Sequence, residues 1–448
     1  MKHIAIKRWF ADGVFRTIIR NASYLGSSKL MGALLGLIAL ACAGRGMTPA
    51  MFGTLVLIHS YANGVGGLVK FQTWQFIVRY GAPALGRGND DELRDVTGFA
   101  FGLDLASGLL GLAGGLVLLP FLAGWLGIGS GDLGWALLYC TLIPTMTAAT
   151  PTGILRVLDR FDQIAFQQLV TPLLRAAGGI ISYFGHLGFA GFVLTWYLAD
   201  LAGDLCLWWM AVRELRAKGI HNGLVPRLIG PGRRLQGAWD FVWTTNIAHS
   251  IWSAWGPISN LIVGAMLGPA SAGLFKIAAT FFDSASKPAD LLSRSFYPEI
   301  MRLDPASRHP WLLGIRSAFV AGAIGLAILL LVIVGGKPLI NLVFGKRYME
   351  AYELLRLMTA SLVVTMASFP LESLLYMARR QRAALVAEGF AAFVYAGLLF
   401  AMIHQFGIAG AGAAYVAGVC LKAVAMLIPT LSSYRHRQTL AQPTPKAA

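Results

Sequence analysis

The chain has 448 residues, of which 56% are hydrophobic and only 13% charged, and its formal net charge is +16. Soluble domains carry about 25% charged residues, so this composition, with a mean hydropathy of +0.63, excludes an ordinary soluble enzyme. The basic excess calls for no nucleic acid, because the arginines and lysines are segregated along the chain rather than gathered into one patch.

Apolar runs predict twelve spans in order, at 22–44, 52–78, 97–120, 132–150, 164–184, 189–211, 239–264, 271–292, 313–335, 353–376, 384–403 and 408–430. About twenty apolar residues suffice for a helix to cross the hydrocarbon. The bilayer core offers backbone groups no water, so the expected fold class is an all-α integral membrane bundle. Within the first run, Ala41-Cys42-Ala43 mimics a small-residue cleavage site. The long basic leader and the eleven runs that follow instead predict an uncleaved first helix. Of the 37 basic residues, twenty-five fall in alternate connecting segments, four in the intervening ones, and eight within or at the ends of spans. The basic bias of cytoplasmic loops then places both termini in the cytoplasm of a multi-pass inner-membrane protein. Basic loops there face anionic headgroups, at roughly 1 kcal/mol per charge. The four cysteines lie in or beside spans without close pairing and are read as packing residues.

The sequence repeats itself at long range. Pro49-Ala50-Met51-Phe52-Gly53 opens the second span and Pro269-Ala270-Ser271-Ala272-Gly273 the eighth; Gly188-Phe189-Ala190-Gly191 opens the sixth and Gly407-Ile408-Ala409-Gly410 the twelfth. This predicts two pseudo-symmetric six-helix lobes, 1–225 and 226–448, separated by a basic, Gly- and Pro-rich loop around 214–237. Such repeats commonly enclose a site at their interface, and a central cavity is expected there.

A charge at mid-bilayer costs a few kcal/mol, so charged residues inside spans mark cavities or partners. The eighth span carries Lys276, Asp283 and Lys287 on one helical face, and the second carries His59, Asn63 and Lys70. The seventh presents Asn246, Ser250, Ser253 and Asn260. The fifth has Gln168, Thr171 and Arg175 on one face, with a kink expected at Pro172, the sixth has Asp200 and Asp204 one turn apart, and the first holds Lys29. Several fixed cations in a low-dielectric wall concentrate multivalent anions, of which a pyrophosphate is the natural guest. Lys29, Lys70, Arg175 and Lys276 are the candidates to hold it. His59, Asn63, Asn246, Ser250, Ser253 and Asn260 are candidate polar lining. Asp283, Asp200 and Asp204 are candidates for coupling to protons or sodium, since a buried carboxylate is readily tuned by either.

No phosphate-binding GxxxxGK[ST] loop, HExxH or GxSxG occurs, and the loops are too short to hold a catalytic domain. No cofactor or metal site is expected, and transport is the default reading.

Five segments in order and spacing carry a resemblance: Pro49 to Leu55; Gly153-Ile154-Leu155-Arg156-Val157-Leu158-Asp159-Arg160-Phe161; Leu267 to Phe275; Leu339 to Tyr348; and Phe406 to Gly412. With them the chain resembles, over nearly its whole length, the polysaccharide transporters of the multidrug/oligosaccharidyl-lipid/polysaccharide exporter superfamily, the flippases of O-antigen and exopolysaccharide repeat units. The resemblance implies a V-shaped pair of bundles that alternates between inward and outward openings. The implied cargo is an undecaprenyl-pyrophosphate-linked oligosaccharide moved to the periplasmic leaflet, driven by an ion gradient or the membrane potential. Membrane lipids and the polysaccharide polymerase and export machinery are the implied partners. In the related lipid II flippases basic residues of the first, second and eighth helices meet the pyrophosphate, which singles out Lys29, Lys70 and Lys276. These are lysines where arginines are often seen, and lysine offers a point charge rather than a bidentate fork. An ion-coupled multidrug exporter would want an acidic cavity, and an intramembrane glycan polymerase or ligase a large periplasmic loop; both stand as alternatives.

Overall fold

The computed structural model describes residues 13–220, 224–228, 235, 237–436 and 438, with side chains from Gly26 onward except at 244, 247–252, 254–255, 288, 290–291, 294–295 and 298. The described residues contain helices and turns and no strand, as an integral membrane bundle requires. They form two compact units, Met1–Leu261 and Ile262–Ala448.

The first unit holds α1 (Gly13–Gly46), α2 (Pro49–Val69), α3 (Thr73–Phe76), α4 (Ala82–Gly86), α5 (Asp90–Leu122), α6 (Leu133–Cys140), α7 (Ile143–Met146), α8 (Thr150–Val157), α9 (Phe161–Phe184), α10 (Gly188–Ala217) and most of α11 (Ala238–Leu267). The second holds α12 (Pro269–Ile300), α13 (His309–Val343), α14 (Ala351–Met377) and α15 (Gln381–Arg435). The boundary between these compact units falls inside α11. The reason is packing: Trp239, Phe241 and Trp243 at the start of α11 stack edge-on against Phe99, Tyr80 and Phe71, and Ser253 donates to the Gly67 carbonyl at 3.2 Å.

Among the described residues, eight helices are long and apolar enough to cross a membrane, or nine if the bent pair Ser130–Cys140 and Ile143–Val157 counts as one span. The difference from twelve lies in three places. The expected spans 239–264 and 271–292 fall on α11 and α12, parts of which lie outside the described residues. The 55-residue α15 covers two expected spans, which meet at Gly407, where φ is 59° and only glycine enters cheaply.

The long-range repeat is visible in the backbone. At the end of α8, Asp159 turns left-handed with φ 56°, and Arg160 N donates to Leu155 O at 2.8 Å. At the end of α14, 220 residues later, Arg379 has φ 58° and Arg380 N donates to Leu375 O at 2.8 Å. Likewise Pro49 and Pro269 both occupy the first turn of their helices, where a missing amide costs nothing; Thr48 caps the former by accepting from Met51 N at 3.3 Å.

The repeat also shows where the units diverge. The counterpart of α2 is α12, which runs unbroken to Ile300, whereas α2 stops at Val69 and Lys70 is extended, with ψ 117°. The counterpart of the chain 133–157 is α14, continuous despite Pro370, whereas 133–157 is split into α6, α7 and α8. Pro144 and Pro151 explain the split, because each removes an amide from the i to i−4 ladder and crowds the preceding turn. Within the second unit Phe296, Ile300, Trp311, Leu374 and Met377 form a core where α12, α13 and α14 meet.

Candidate functional site in the first unit

Splitting a helix inside a membrane strands backbone groups, and each must find a partner. The structure supplies two charged ones. Lys70 Nζ donates to the carbonyl of Met146, the last residue of α7, at 2.9 Å. Asp104, 1% exposed in the middle of α5, accepts from the amides of Ala149 at 2.8 Å and Thr150 at 2.7 Å, at the start of α8. Its other oxygen accepts from the Thr73 hydroxyl of α3 at 2.8 Å. Anionic and cationic side chains thus sit at the positive and negative ends of consecutive short helices, the arrangement that helix dipoles favour.

A second polar cluster lies among continuous helices. His59 is ten residues into α2, Arg175 fourteen into α9 and Asp200 twelve into α10, about 15 to 21 Å from each helix start at 1.5 Å per residue. All three therefore meet near mid-depth. Arg175 Nη2 donates to Asp200 Oδ1 at 2.6 Å and Oδ2 at 2.5 Å, and to His59 Nε2 at 2.7 Å. His59 Nε2 is 3.6 Å from Asp200 Oδ2. Asn63, one turn along α2, donates through Nδ2 to the His59 carbonyl at 2.8 Å and lies 3.2 Å from His59 Nε2. The guanidinium rests over the Trp196 ring, 4.6 Å from its centroid, and His59 meets Trp196 and Tyr139 edge-on. Asp204 is close enough to Asp200, Arg175 and Lys70 to sense their charges, and its Oδ2 is buried without a hydrogen-bond partner among the described residues. Arg175 Nε is buried in the same condition.

The structure thus brings together His59, Asn63, Arg175, Asp200 and Asp204, with Lys70 nearby, from residues that the sequence distributes over three expected spans. It places the remaining candidates elsewhere. Lys29 is exposed on α1, beside Ser28, whose hydroxyl donates to Gln168 at 3.3 Å. Asn246 and Asn260 are buried in α11, and Ser253 is committed to Gly67; the Ser250 side chain lies outside the described residues. Lys276 and Asp283 belong to the second unit, the first half-buried and the second exposed on α12. Sequence reading missed Asp104, although a lone aspartate in an otherwise apolar run beside a doubly proline-broken span is a usable signal.

Where 133–157 leads into α9, Arg160 closes a smaller network, with Nη1 donating to Glu214 at 2.7 Å and Nε to Asp162 at 3.2 Å. The hydrogen bond to Asp162 comes first in holding the Arg160 guanidinium above its ordinary range.

These observations define an all-α integral membrane protein with a polar, charged centre at mid-depth in its first unit. Its fold is shared with transporters: the inward-facing multidrug resistance MATE family transporter of the MOP superfamily aligns at TM-score 0.70 and 15% identity, covering 92% of this chain and 96% of that one. The lipid II flippase MurJ in an inward closed conformation aligns at TM-score 0.66 and 11% identity, covering 93% and 90%. Residues 18–301 match the family described as polysaccharide biosynthesis protein, and the chain belongs to that family. It is also 57% identical over 350 residues to the inner membrane protein YghQ of Escherichia coli (strain K12), covering 78% of this chain and 99% of that protein.

Proposed function

We propose that the chain is a flippase of the bacterial inner membrane that moves an undecaprenyl-pyrophosphate-linked oligosaccharide from the cytoplasmic to the periplasmic leaflet by alternating access. The observation that carries the reading is the Arg175–Asp200–His59 cluster, a buried carboxylate between half-buried Arg175 and His59 at mid-depth in a chain of the polysaccharide biosynthesis family. Charges at that depth are costly unless they serve a pathway, and an arginine fork matches phosphate oxygens bidentately. Lys29, Lys70 and Lys276 remain the further cationic candidates, and Asn246, Ser253 and Asn260 the candidate polar contacts for sugar. Asp200, Asp204 and Asp283 are the candidate sites for proton or sodium coupling. On this reading the protein is a transporter rather than an enzyme, and a glycan polymerase and export machinery take up its product.

Removing the gene tests the proposal. The lipid-linked oligosaccharide is expected to accumulate on the cytoplasmic face and to clear on complementation by the wild-type chain. A periplasmic intermediate in normal amount overturns the reading. The fold likeness to a multidrug transporter favours one alternative, export of organic cations; a deletion strain hypersensitive to such drugs, with polysaccharide unchanged, would establish it.

A further inference from the structure

The hydrogen bonds around His59 determine where its ring can take a proton. A guanidinium only donates, so Arg175 Nη2 at 2.7 Å requires a lone pair on His59 Nε2. Asn63 adds a second donor on the same atom. Its Nδ2 must be the nitrogen, because it lies 2.8 Å from the His59 carbonyl, which only accepts, and the same Nδ2 is 3.2 Å from Nε2. Nε2 is therefore an acceptor facing two donors, and the ring is neutral in this arrangement.

A proton on Nε2 reverses that logic, because an N–H would then face two donors. The nearest acceptor to that atom in the cluster is Asp200 Oδ2, 3.6 Å away. A small rotation makes it the imidazolium's partner and takes it from Arg175. The three groups together change from neutral to a single positive charge, in a site where opposite charges attract strongly. We infer that His59 is the proton switch that decides whether Arg175 is held by Asp200 or released to a phosphate oxygen of the lipid-linked substrate. The inference rests on the substrate class proposed above.

The groups packed around His59 are consistent with this assignment. From α9 it meets Arg175; from α10, Asp200 and the Trp196 ring, with Asp204 a turn further. From α6 it meets Tyr139, whose hydroxyl is turned to the Val193 carbonyl at 3.5 Å. On its own element Asn63 is the near neighbour, and Lys70, just past the end of α2, is engaged with Met146. The long-range repeat supplies an internal control. The positions equivalent to His59, Arg175 and Asp200 in the second unit are Ala279, Tyr395 and Val419, all neutral. The switch therefore exists in one unit, and its members are not an inheritance of the shared helical framework. Because binding is reciprocal, a proton that favours the phosphate is itself favoured by it.

The test is a binding titration on the purified full chain in lipid nanodiscs, with a polyprenyl diphosphate carrying one sugar as the probe. Both of its phosphates stay ionised between pH 8 and pH 5.5, so a pH effect belongs to the protein. Wild type is expected to bind at least ten-fold more tightly at pH 5.5 than at pH 8. His59→Gln is expected to lose this slope and stay at the weak, high-pH affinity. Asp200→Asn is expected to bind tightly at both, because Arg175 has lost its carboxylate. Retention of the wild-type slope in His59→Gln, or of wild-type weakness at pH 8 in Asp200→Asn, overturns the inference alone. Absence of binding by any form at any pH overturns the substrate class on which it rests. Should His59→Gln not survive purification, the Asp200→Asn arm decides.

Discussion

Asp104→Ala removes the acceptor of three donors at once: the Thr73 hydroxyl and the amides of Ala149 and Thr150. Leaving two buried amides unsatisfied costs about 1–3 kcal/mol each, and loss of the hydroxyl bond about 1 kcal/mol more, which sums to roughly 3–7 kcal/mol. Hydrogen bonds inside membranes average nearer 0.6 kcal/mol in double-mutant cycles, because the opened chain finds other partners. The lower end, about 3 kcal/mol, is therefore the expected loss. Asp104→Asn keeps an oxygen for the amides and presents a nitrogen that the Thr73 oxygen can accept from, so it is expected to cost about 1 kcal/mol. Unfolding of the full chain in mild detergent measures both. Amide exchange at Ala149 and Thr150 reports whether the start of α8 has opened. If Asp104→Ala unfolds within about 1 kcal/mol of wild type, with those amides still protected, the claim that this carboxylate holds the broken span together is wrong.

Gly153→Ala places a Cβ 2.9 Å from Trp74 Cα and Ile77 Cβ, atoms that cannot swing away; the overpacking is expected to cost about 1–3 kcal/mol in the same unfolding assay. Asp159→Gly and Arg379→Gly relieve left-handed residues at equivalent turns, φ 56° and 58°, so each should be neutral or stabilising by a few tenths of a kcal/mol. Unequal effects at the two sites would show that the turns are not equivalent. Lys70→Met keeps the aliphatic stem but leaves the Met146 carbonyl without its ammonium donor, an expected loss of about 1–2 kcal/mol; a gain in melting temperature would refute the structural role.

Much of this architecture is legible in the chain because hydrophobic length is a local property. The apolar run that predicts the first span is the exposed, lipid-compatible stretch of α1, and the 220-residue echo reappears as matched turns at Asp159 and Arg379. What stayed hidden depends on contacts between distant segments. His59, Arg175 and Asp200 are visible one by one as polar residues in apolar runs, but nothing local says that they converge on one guanidinium. The break after Val69 is hidden for the same reason, since Lys70 leaves the helix toward a carbonyl 76 residues away. The breaks in 133–157 were readable in principle from Pro144 and Pro151. The hydropathy of that stretch, however, is as smooth as a continuous helix would give, and a window average cannot see a missing amide.

The two charged clusters of the first unit differ in what calls for them. Lys70 and Asp104 answer a demand of the backbone: α2, α7 and α8 end inside an apolar environment, and the exposed carbonyl and amides would otherwise be stranded. No such demand exists around Arg175. It meets His59 within α2 and Asp200 within α10, among intrahelical ladders that satisfy the backbone, and Pro172 frees a carbonyl that the guanidinium does not bond. Replacing such a buried ion pair by well-packed apolar side chains is often neutral or stabilising, and the second unit makes that substitution at the equivalent positions with Tyr395 and Val419. A helical framework common to both units therefore stands without these charges. On the proposed function, their presence in one unit alone follows from the substrate that would pass through the membrane and from the proton that His59 would hold.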